Sequence, residues 1–351
     1  MPLELEQTLK QLSKEGELYE KLPEGRVRCF ACGHRCLISD GNCGVCRVRY
    51  NTKGRLYVPT GYVGALQLDP VEKKPFFHAL PGSQAMSFGM LGCDFKCPNC
   101  QNFMTSQTLR DPQAGVPPTQ LTSRDFIQLA KRYNAAIVTS TYNEPLITSE
   151  WAVEIFKLAK KEKLVTSYVS NGNGTREVLE YLRPYVDLYK VDLKSFNDQS
   201  YRKLGGVLDP ILKTIQMLYE MKFWVEVVTL VIPGFNDSEE ELKQIADFLV
   251  TVSPTIPWHV TAFHKDYKMS EPDNTSAETL IRAANIGIKA GLQFVYAGNL
   301  PGIVGNLENT YCPSCKELLI ERYGFNILQN RLASGGNCPK CQTQIPGFWS
   351  H

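Results

Sequence analysis

Between residues 86 and 297, short apolar and β-branched runs alternate with stretches whose apolar positions recur every three or four residues. The runs "AMSFGML" (85–91), "AAIVTST" (135–141), "VTSYVSN" (165–171), "DLYKVDL" (187–193), "WVEVVTLVI" (224–232), "WHVTAF" (258–263) and "LQFVYAG" (292–298) read as strands. The intervening "SRDFIQLAKRYN", "SEWAVEIFKLAKKEK", "SEEELKQIADFLVTV" and "SAETLIRAANIGIKAG" read as helices, each opening on a serine able to cap it. Strands this uniformly apolar need cover on both faces, as in a parallel sheet built from consecutive βα units. Six or seven units predict an α/β fold, a partial (β/α) barrel. Active sites of such barrels lie at the C-terminal ends of the strands. Glu144, Ser170, Asn171, Asp192, Lys194, His264 and Asn299 each follow an apolar run and belong at that end.

The rhythm is missing from residues 1–85 and 305–351. The predicted organisation is an N-terminal helix and Cys-rich metal module (1–85), the barrel (86–304) and a C-terminal zinc-ribbon-like module (305–351). Leu5, Leu9 and Leu12 stand at helical spacing among Glu and Lys and predict an amphipathic surface helix. "DPQAGVPPTQ" (111–120) is a Pro-rich loop.

Charge narrows the function. Lys plus Arg number 38 against 36 Asp plus Glu, a net of +2, so no strong field draws the chain to nucleic acid, and no nucleic-acid partner is expected. No run of about 18 uncharged apolar residues exists to span a membrane. The N-terminus also lacks the basic-then-apolar order of a secretion signal. Twelve cysteines without such a signal imply a cytoplasmic protein that uses thiolates as metal ligands.

The cysteines form three groups: Cys29, Cys32, Cys36, Cys43 and Cys46; Cys93, Cys97 and Cys100; Cys312, Cys315, Cys338 and Cys341. In "GMLGCDFKCPNCQNF" three thiols crowd into eight residues directly after a strand. A four-iron cluster held by three thiolates keeps one iron open to an outside molecule. A zinc ion with a distant fourth ligand is the other way to use them.

Cys-x3-Cys-x2-Cys after the first barrel strand resembles the radical S-adenosylmethionine superfamily. That resemblance implies a [4Fe-4S] cluster whose open iron is chelated by the cofactor's amine and carboxylate. Reductive cleavage then yields a 5′-deoxyadenosyl radical that abstracts hydrogen from a substrate. Further motifs carry the resemblance. "TYNEP" stands where similar enzymes have a Gly-Gly-Glu-Pro turn, which implies Glu144 as acceptor from the cofactor's amino group. "SNG" resembles the ribose- and carboxylate-binding turn of glycyl-radical activases, implying Ser170 and Asn171 as donors. "VDLKSF" resembles their Asp-x-Lys strand end, implying Asp192 orienting Lys194 toward a carboxylate. "TAFHKDYKM" implies His264 near the adenosyl group. Residue by residue, the ordinary alternatives are a capping carboxylate, a plain turn, a strand-end ion pair and a structural histidine. The sequence departs from the family at Asn99, where an aromatic residue is usual near the adenine, which leaves Phe95 or Phe103 to supply apolar surface.

"YCPSC" and "NCPKC", 22 residues apart, form two Cys-x2-Cys arms suited to a closed structural zinc. The N-terminal group is open to two readings. Zinc would take the arms Cys29/Cys32 and Cys43/Cys46, whereas an auxiliary iron–sulfur cluster would use Cys36 and leave one thiol free. The leader "CFACGHRCLISDGNCGVCRVRYNTKGRLY", the bridge "DPVEKKPFFHALPGS" and the C-terminal arms together resemble the AmmeMemoRadiSam-system radical SAM enzymes, relatives of pyruvate formate-lyase activating enzymes. The extra thiol Cys43 is a departure. The resemblance implies AMMECR1-like and Memo-like partners, an electron donor such as flavodoxin or ferredoxin, and a small-molecule or protein substrate, with a glycyl radical enzyme as the alternative target. A zinc-binding scaffold using every cysteine structurally is the rival of a different class.

Overall fold

A computed structural model describes residues 3–349. Its centre is an eight-stranded sheet. The strands are β1 (Ala65–Pro70), β2 (Gln84–Gly89), β3 (Ile137–Ser140), β4 (Val165–Ser170), β5 (Leu188–Asp192), β6 (Trp224–Val231), β7 (Trp258–Ala262) and β8 (Val295–Gly298), lying side by side in chain order. From β2 to β8 every pairing is parallel, and β1 pairs antiparallel with β2. Among the described residues β1 and β8 do not pair, so the barrel is partial. All seven strands read from apolar runs are present. β1 is the strand the pattern did not reveal.

The helices of seven residues or more are α1 (Leu3–Gln11), α2 (Ser123–Arg132), α3 (Ser149–Lys161), α4 (Arg176–Leu182), α5 (Asp198–Leu204), α6 (Leu208–Glu220), α7 (Glu239–Val252) and α8 (Ala277–Ala290). Leu5 and Leu9 of α1 pack against Cys46, Val48, Leu109 and Ile147, as the amphipathic pattern requires. Ser238 and Ser276 cap α7 and α8, accepting from Glu241 N and Thr279 N. The other two serines do not cap. Thr122, in extended conformation, caps α2, and Ser123 Oγ donates to Glu154 instead. α3 continues from a 3-10 turn, Pro145–Thr148, so no extended residue precedes it, and Ser149 Oγ donates to Leu146 O.

Both flanking segments are tied to the sheet by buried charge. Arg49 donates to both carboxylate oxygens of Glu150 in α3 at 2.7 Å, and both side chains are 1% exposed. Its Nη1 also reaches Ile147 O. At the other end Arg322 donates to Phe77 O and Thr310 Oγ1 and lies 4.3 Å above the Phe77 ring. The C-terminal strands β9 (Thr310–Tyr311), β10 (Leu318–Tyr323) and β11 (Asn326–Asn330) form a small antiparallel sheet. A tail this short gains its core from the barrel: Cys312, Leu319, Ile320, Cys338 and Ile345 pack with Phe77, Phe294 and Tyr296.

Under this contact Glu226 accepts from Phe77 N, His78 N and Trp224 Nε1 and lies 2.7 Å from His259 Nε2. His78 is wholly buried between Pro346 O and Tyr296 Oη, at 2.7 and 2.6 Å. Burial holds its imidazole neutral and pushes its pKa from 6.5 down to about 4, with Glu226 opposing. The unfolded chain takes up that proton near 6.5, so this stabilisation is complete above 6.5 and is lost as the pH falls toward 4. We expect the melting temperature to fall across that window, and His78→Gln to flatten the slope relative to wild type in pH-resolved calorimetry.

Candidate active site

The loop after β2 carries the three clustered cysteines. Gly89 is required where it starts, because a Cβ there would stand 2.4 Å from Thr141 O at the end of β3. The loop is held from two sides: Lys96 N donates to Leu204 O and Lys268 N to Pro98 O. Phe95 is buried edge-on against His34 and Tyr201. Phe103 instead stacks on Tyr267, ring centroids 4.6 Å apart. Phe95 N donates to Cys93 Sγ at 3.4 Å, and Cys100 Sγ lies 3.1 Å from Ser106 Oγ. Burial pushes the Cys93 and Cys100 thiols up and Cys97 up to about 12, with Lys194 pulling Cys97 back. These thiols hold their protons at neutral pH unless positive charge binds beside them.

Two buried carboxylates meet here, Asp94 within the loop and Glu144 after β3. Asp94 accepts from Asn171 Nδ2 and Asn173 Nδ2, both at 2.8 Å. Glu144, 1% exposed, accepts from Ser170 Oγ (2.7 Å), Asn171 N (2.7 Å) and Leu146 N (3.1 Å). Burial first, and then the charge of Asp94, push its pKa up. A cation bound beside Glu144 would offset both its burial and the charge of Asp94. The donors of Ser170 and Asn171 are thus directed at Glu144 and Asp94. Glu144 also caps the turn that begins α3, so its capping role and its place in the site coexist.

At the end of β5, Asp192 pairs with Lys190 and, at 3.3 Å, with Lys194. Burial works against the Lys194 charge, but Asp192 and Cys97 hold its pKa above the ordinary lysine value. His264 is half exposed, its Nε2 2.9 Å from Gln101 Nε2 in the cysteine loop. Asn299 donates to Ala262 O and serves the strand ends rather than the cavity. Asp94, Asn143, Asn173 and Lys190 did not stand out in the sequence. Asp94 is adjacent to Cys93 and Asn173 extends "SNG", but their importance appears only in the contact between them. Asn143 Nδ2 is a buried donor with no partner in the protein.

Residues 89–249 match the model of the radical SAM superfamily. An uncharacterized protein of Methanocaldococcus jannaschii is 38% identical over 89% of this chain and 92% of its own. The pyruvate formate-lyase 1-activating enzyme of Escherichia coli is 26% identical over 59% of this chain and 89% of its own. That of Clostridium pasteurianum is 24% identical over 54% and 84%. The chain belongs to the radical SAM superfamily.

Radical SAM enzymes use a [4Fe-4S] cluster to cleave S-adenosylmethionine reductively, and the residues here fit both groups. Three recessed thiols share one loop, beside the Lys194 ammonium. The acid pair suits a ligand bearing ammonium and sulfonium charges, and Asn143 Nδ2 offers an unused donor beside Glu144. Each thiolate of such a cluster binds a different iron, so the sulfurs stand wider than around one ion. Consistently, among the described residues only Cys312, Cys315, Cys338 and Cys341 bring their ligand atoms all within 4.8 Å of one another. No helix is long and apolar enough to cross a membrane.

Asp192 is 30% exposed, so water screens the two lysines it serves. Asp192→Asn should therefore lower stability by about 1–3 kcal/mol rather than the roughly 3–5 kcal/mol of a fully buried pair. Chemical denaturation of the two proteins measures the difference.

Proposed function

We infer that this radical SAM enzyme abstracts hydrogen from a small molecule or a protein handled with AMMECR1-like and Memo-like partners, as part of an AmmeMemoRadiSam system in the cytoplasm. The observation that carries the reading is the carboxylate of Glu144, buried beside the cysteine loop and incompletely used. A carboxylate offers about four acceptor sites, and Glu144 fills three within the protein. The fourth accepts the cofactor's ammonium, whose charge offsets the burial and the repulsion from Asp94. Ser170 and Asn171 hold that carboxylate in place.

Cys93, Cys97 and Cys100 would hold the cluster, which when bound supplies the electron that breaks the sulfonium's carbon–sulfur bond. Lys194, oriented by Asp192, would meet the cofactor's carboxylate, and His264, now against Gln101, would serve the adenosyl end. Phe103 and Tyr267 supply the apolar surface that Asn99 does not. An electron donor such as flavodoxin or ferredoxin serves the cluster. Cys312, Cys315, Cys338 and Cys341 hold a structural zinc, a role their compact spacing supports.

The segment from His264 to Thr275 folds across the cysteine loop, with Tyr267 Oη donating to Asp111 at 2.6 Å and Lys268 Nζ 2.8 Å from the same carboxylate. That cover favours a small or narrow substrate. The likeness to pyruvate formate-lyase activating enzymes supports a second reading, in which the hydrogen comes from a backbone glycine of a glycyl radical enzyme.

Reconstituted protein treated anaerobically with dithionite should release 5′-deoxyadenosine, and Cys97→Ala should reduce release to background by chromatography. Deuterium entering that product from a labelled small molecule, and not from a glycine-labelled protein, separates the two readings. Glu144→Gln should weaken S-adenosylmethionine binding about tenfold or more, since a charge-assisted hydrogen bond is worth roughly 1.5–3 kcal/mol. Anaerobic calorimetry reads the affinity.

A further inference from the structure

The N-terminal thiols are not absorbed by the site above. Three of them, Cys29, Cys32 and Cys46, are 5% exposed, and Cys36 is partly buried, whereas Cys43 is exposed. The fold draws the first four together. Cys29 N donates to Cys36 O and Arg35 N to Cys32 O, closing a tight knuckle. Gly44 passes so near Cys36 that a Cβ there would stand 3.4 Å from its sulfur, bringing the Cys46 loop over the knuckle. Cys29, Cys46 and Cys36 are each near enough to Cys32 for their charges to act on it. Cys43 instead bridges to Tyr50 on the exposed side.

Two further observations point to a ligand. The Val48 backbone amide, two residues downstream, favours the Cys46 thiolate, as the Asn102 amide favours that of Cys100 in the cysteine loop of the barrel, where Phe95 N–H bonds Cys93 Sγ at 3.4 Å. Donors placed this way stabilise metal-bound thiolates. Arg49, 1% exposed and close to Cys29 and Cys46, has a buried Nε with no partner. Both guanidinium nitrogens beyond it are occupied by Glu150 and Ile147 O, so Nε–H is the one donor of Arg49 that no protein atom accepts.

The three cysteine groups are not arranged alike. One chain contains two internal standards. The C-terminal four sulfurs crowd within 4.8 Å, as a single tetrahedral ion requires. The loop Cys93–Cys100, which serves an iron–sulfur cluster in this superfamily, does not, and neither do the N-terminal four. We propose that Cys29, Cys32, Cys36 and Cys46 hold a second iron–sulfur cluster, with Cys43 outside the ligand set. This cluster abuts the first. Gly33 N donates to Asn173 O, a Cβ on Gly92 would stand 2.8 Å from Cys46 O, and Arg110 bonds both Phe95 O and Val45 O.

The test removes the barrel's ligands. The triple variant Cys93→Ala, Cys97→Ala, Cys100→Ala, reconstituted anaerobically with iron and sulfide, should keep one cluster, on the order of two to four irons with matching acid-labile sulfide. After dithionite it should show an electron paramagnetic resonance signal. Adding Cys36→Ala or Cys46→Ala should abolish that iron, and adding Cys43→Ala should not. Zinc retained at the C-terminal site reports that each variant is folded. If a variant loses that zinc, the iron count of the wild-type protein decides, at two clusters against one. Two zinc ions with no iron in the triple variant, or iron lost with Cys43→Ala and kept with Cys36→Ala, would overturn the proposal. Failure of the barrel site itself is distinguishable, because the triple variant would then carry as much iron as wild type.

Discussion

Asp94 is the constraint on which the site depends. It follows Cys93 directly, it is 3% exposed, and its carboxylate is satisfied by the side-chain amides of Asn171 and Asn173. Those amides belong to the turn after β4, whose backbone also holds Glu144. One buried charge therefore fixes the cysteine loop, the Glu144 carboxylate and the turn between them in a single arrangement. His34 of the N-terminal knuckle approaches the same carboxylate at 4.0 Å, bringing a third segment to this point. Removing either amide would strand a buried acceptor at a cost of about 1–3 kcal/mol, and the larger effect would be to free the loop from the strands that aim it.

The electrostatic pattern follows from that arrangement. Acids lie on the β2–β3 side of the mouth, where the charge of Asp94 adds to burial in raising the cost of ionising Glu144, and ammonium groups lie on the β5 side, where Lys190 and Lys194 flank Asp192. A zwitterionic, sulfonium-bearing cofactor matches this polarity with its ammonium toward Glu144 and its carboxylate toward Lys194, the orientation we assign. The flanking modules reinforce the barrel at opposite places: Arg49 clamps the N-terminal segment onto α3 beside the mouth, and Arg322 clamps the tail onto Phe77. Both are buried, Arg49 in an ion pair with Glu150 and Arg322 on carbonyl and hydroxyl acceptors, so polar bonds as well as apolar contact specify each module's position.

The seven parallel strands were legible because cover on both faces leaves nearly unbroken apolar runs. β1 was not, because this antiparallel edge strand carries no continuous apolar run: Leu66, Gln67 and Leu68 are exposed and the buried position is Asp69. The N-caps at Thr122 and the uncapped start of α3 depended on backbone conformation that residue type does not specify. In the site, the cysteines and Glu144 stood out by spacing and by position after strands. Asp94 and Asn173 did not, since their meaning lies in a bond across 79 residues of sequence. Lys190 looked like one more residue inside a strand until the structure turned it to Asp192.

The most direct measurement is an anaerobic crystal structure of protein reconstituted with iron, sulfide and S-adenosylmethionine. The expected density shows a four-iron cluster on Cys93, Cys97 and Cys100, with the methionyl ammonium against Glu144 and the carboxylate toward Lys194. A single ion with four protein ligands in that loop, or a cofactor bound away from Glu144 with the Asp94–Asn171 contact intact, would contradict it.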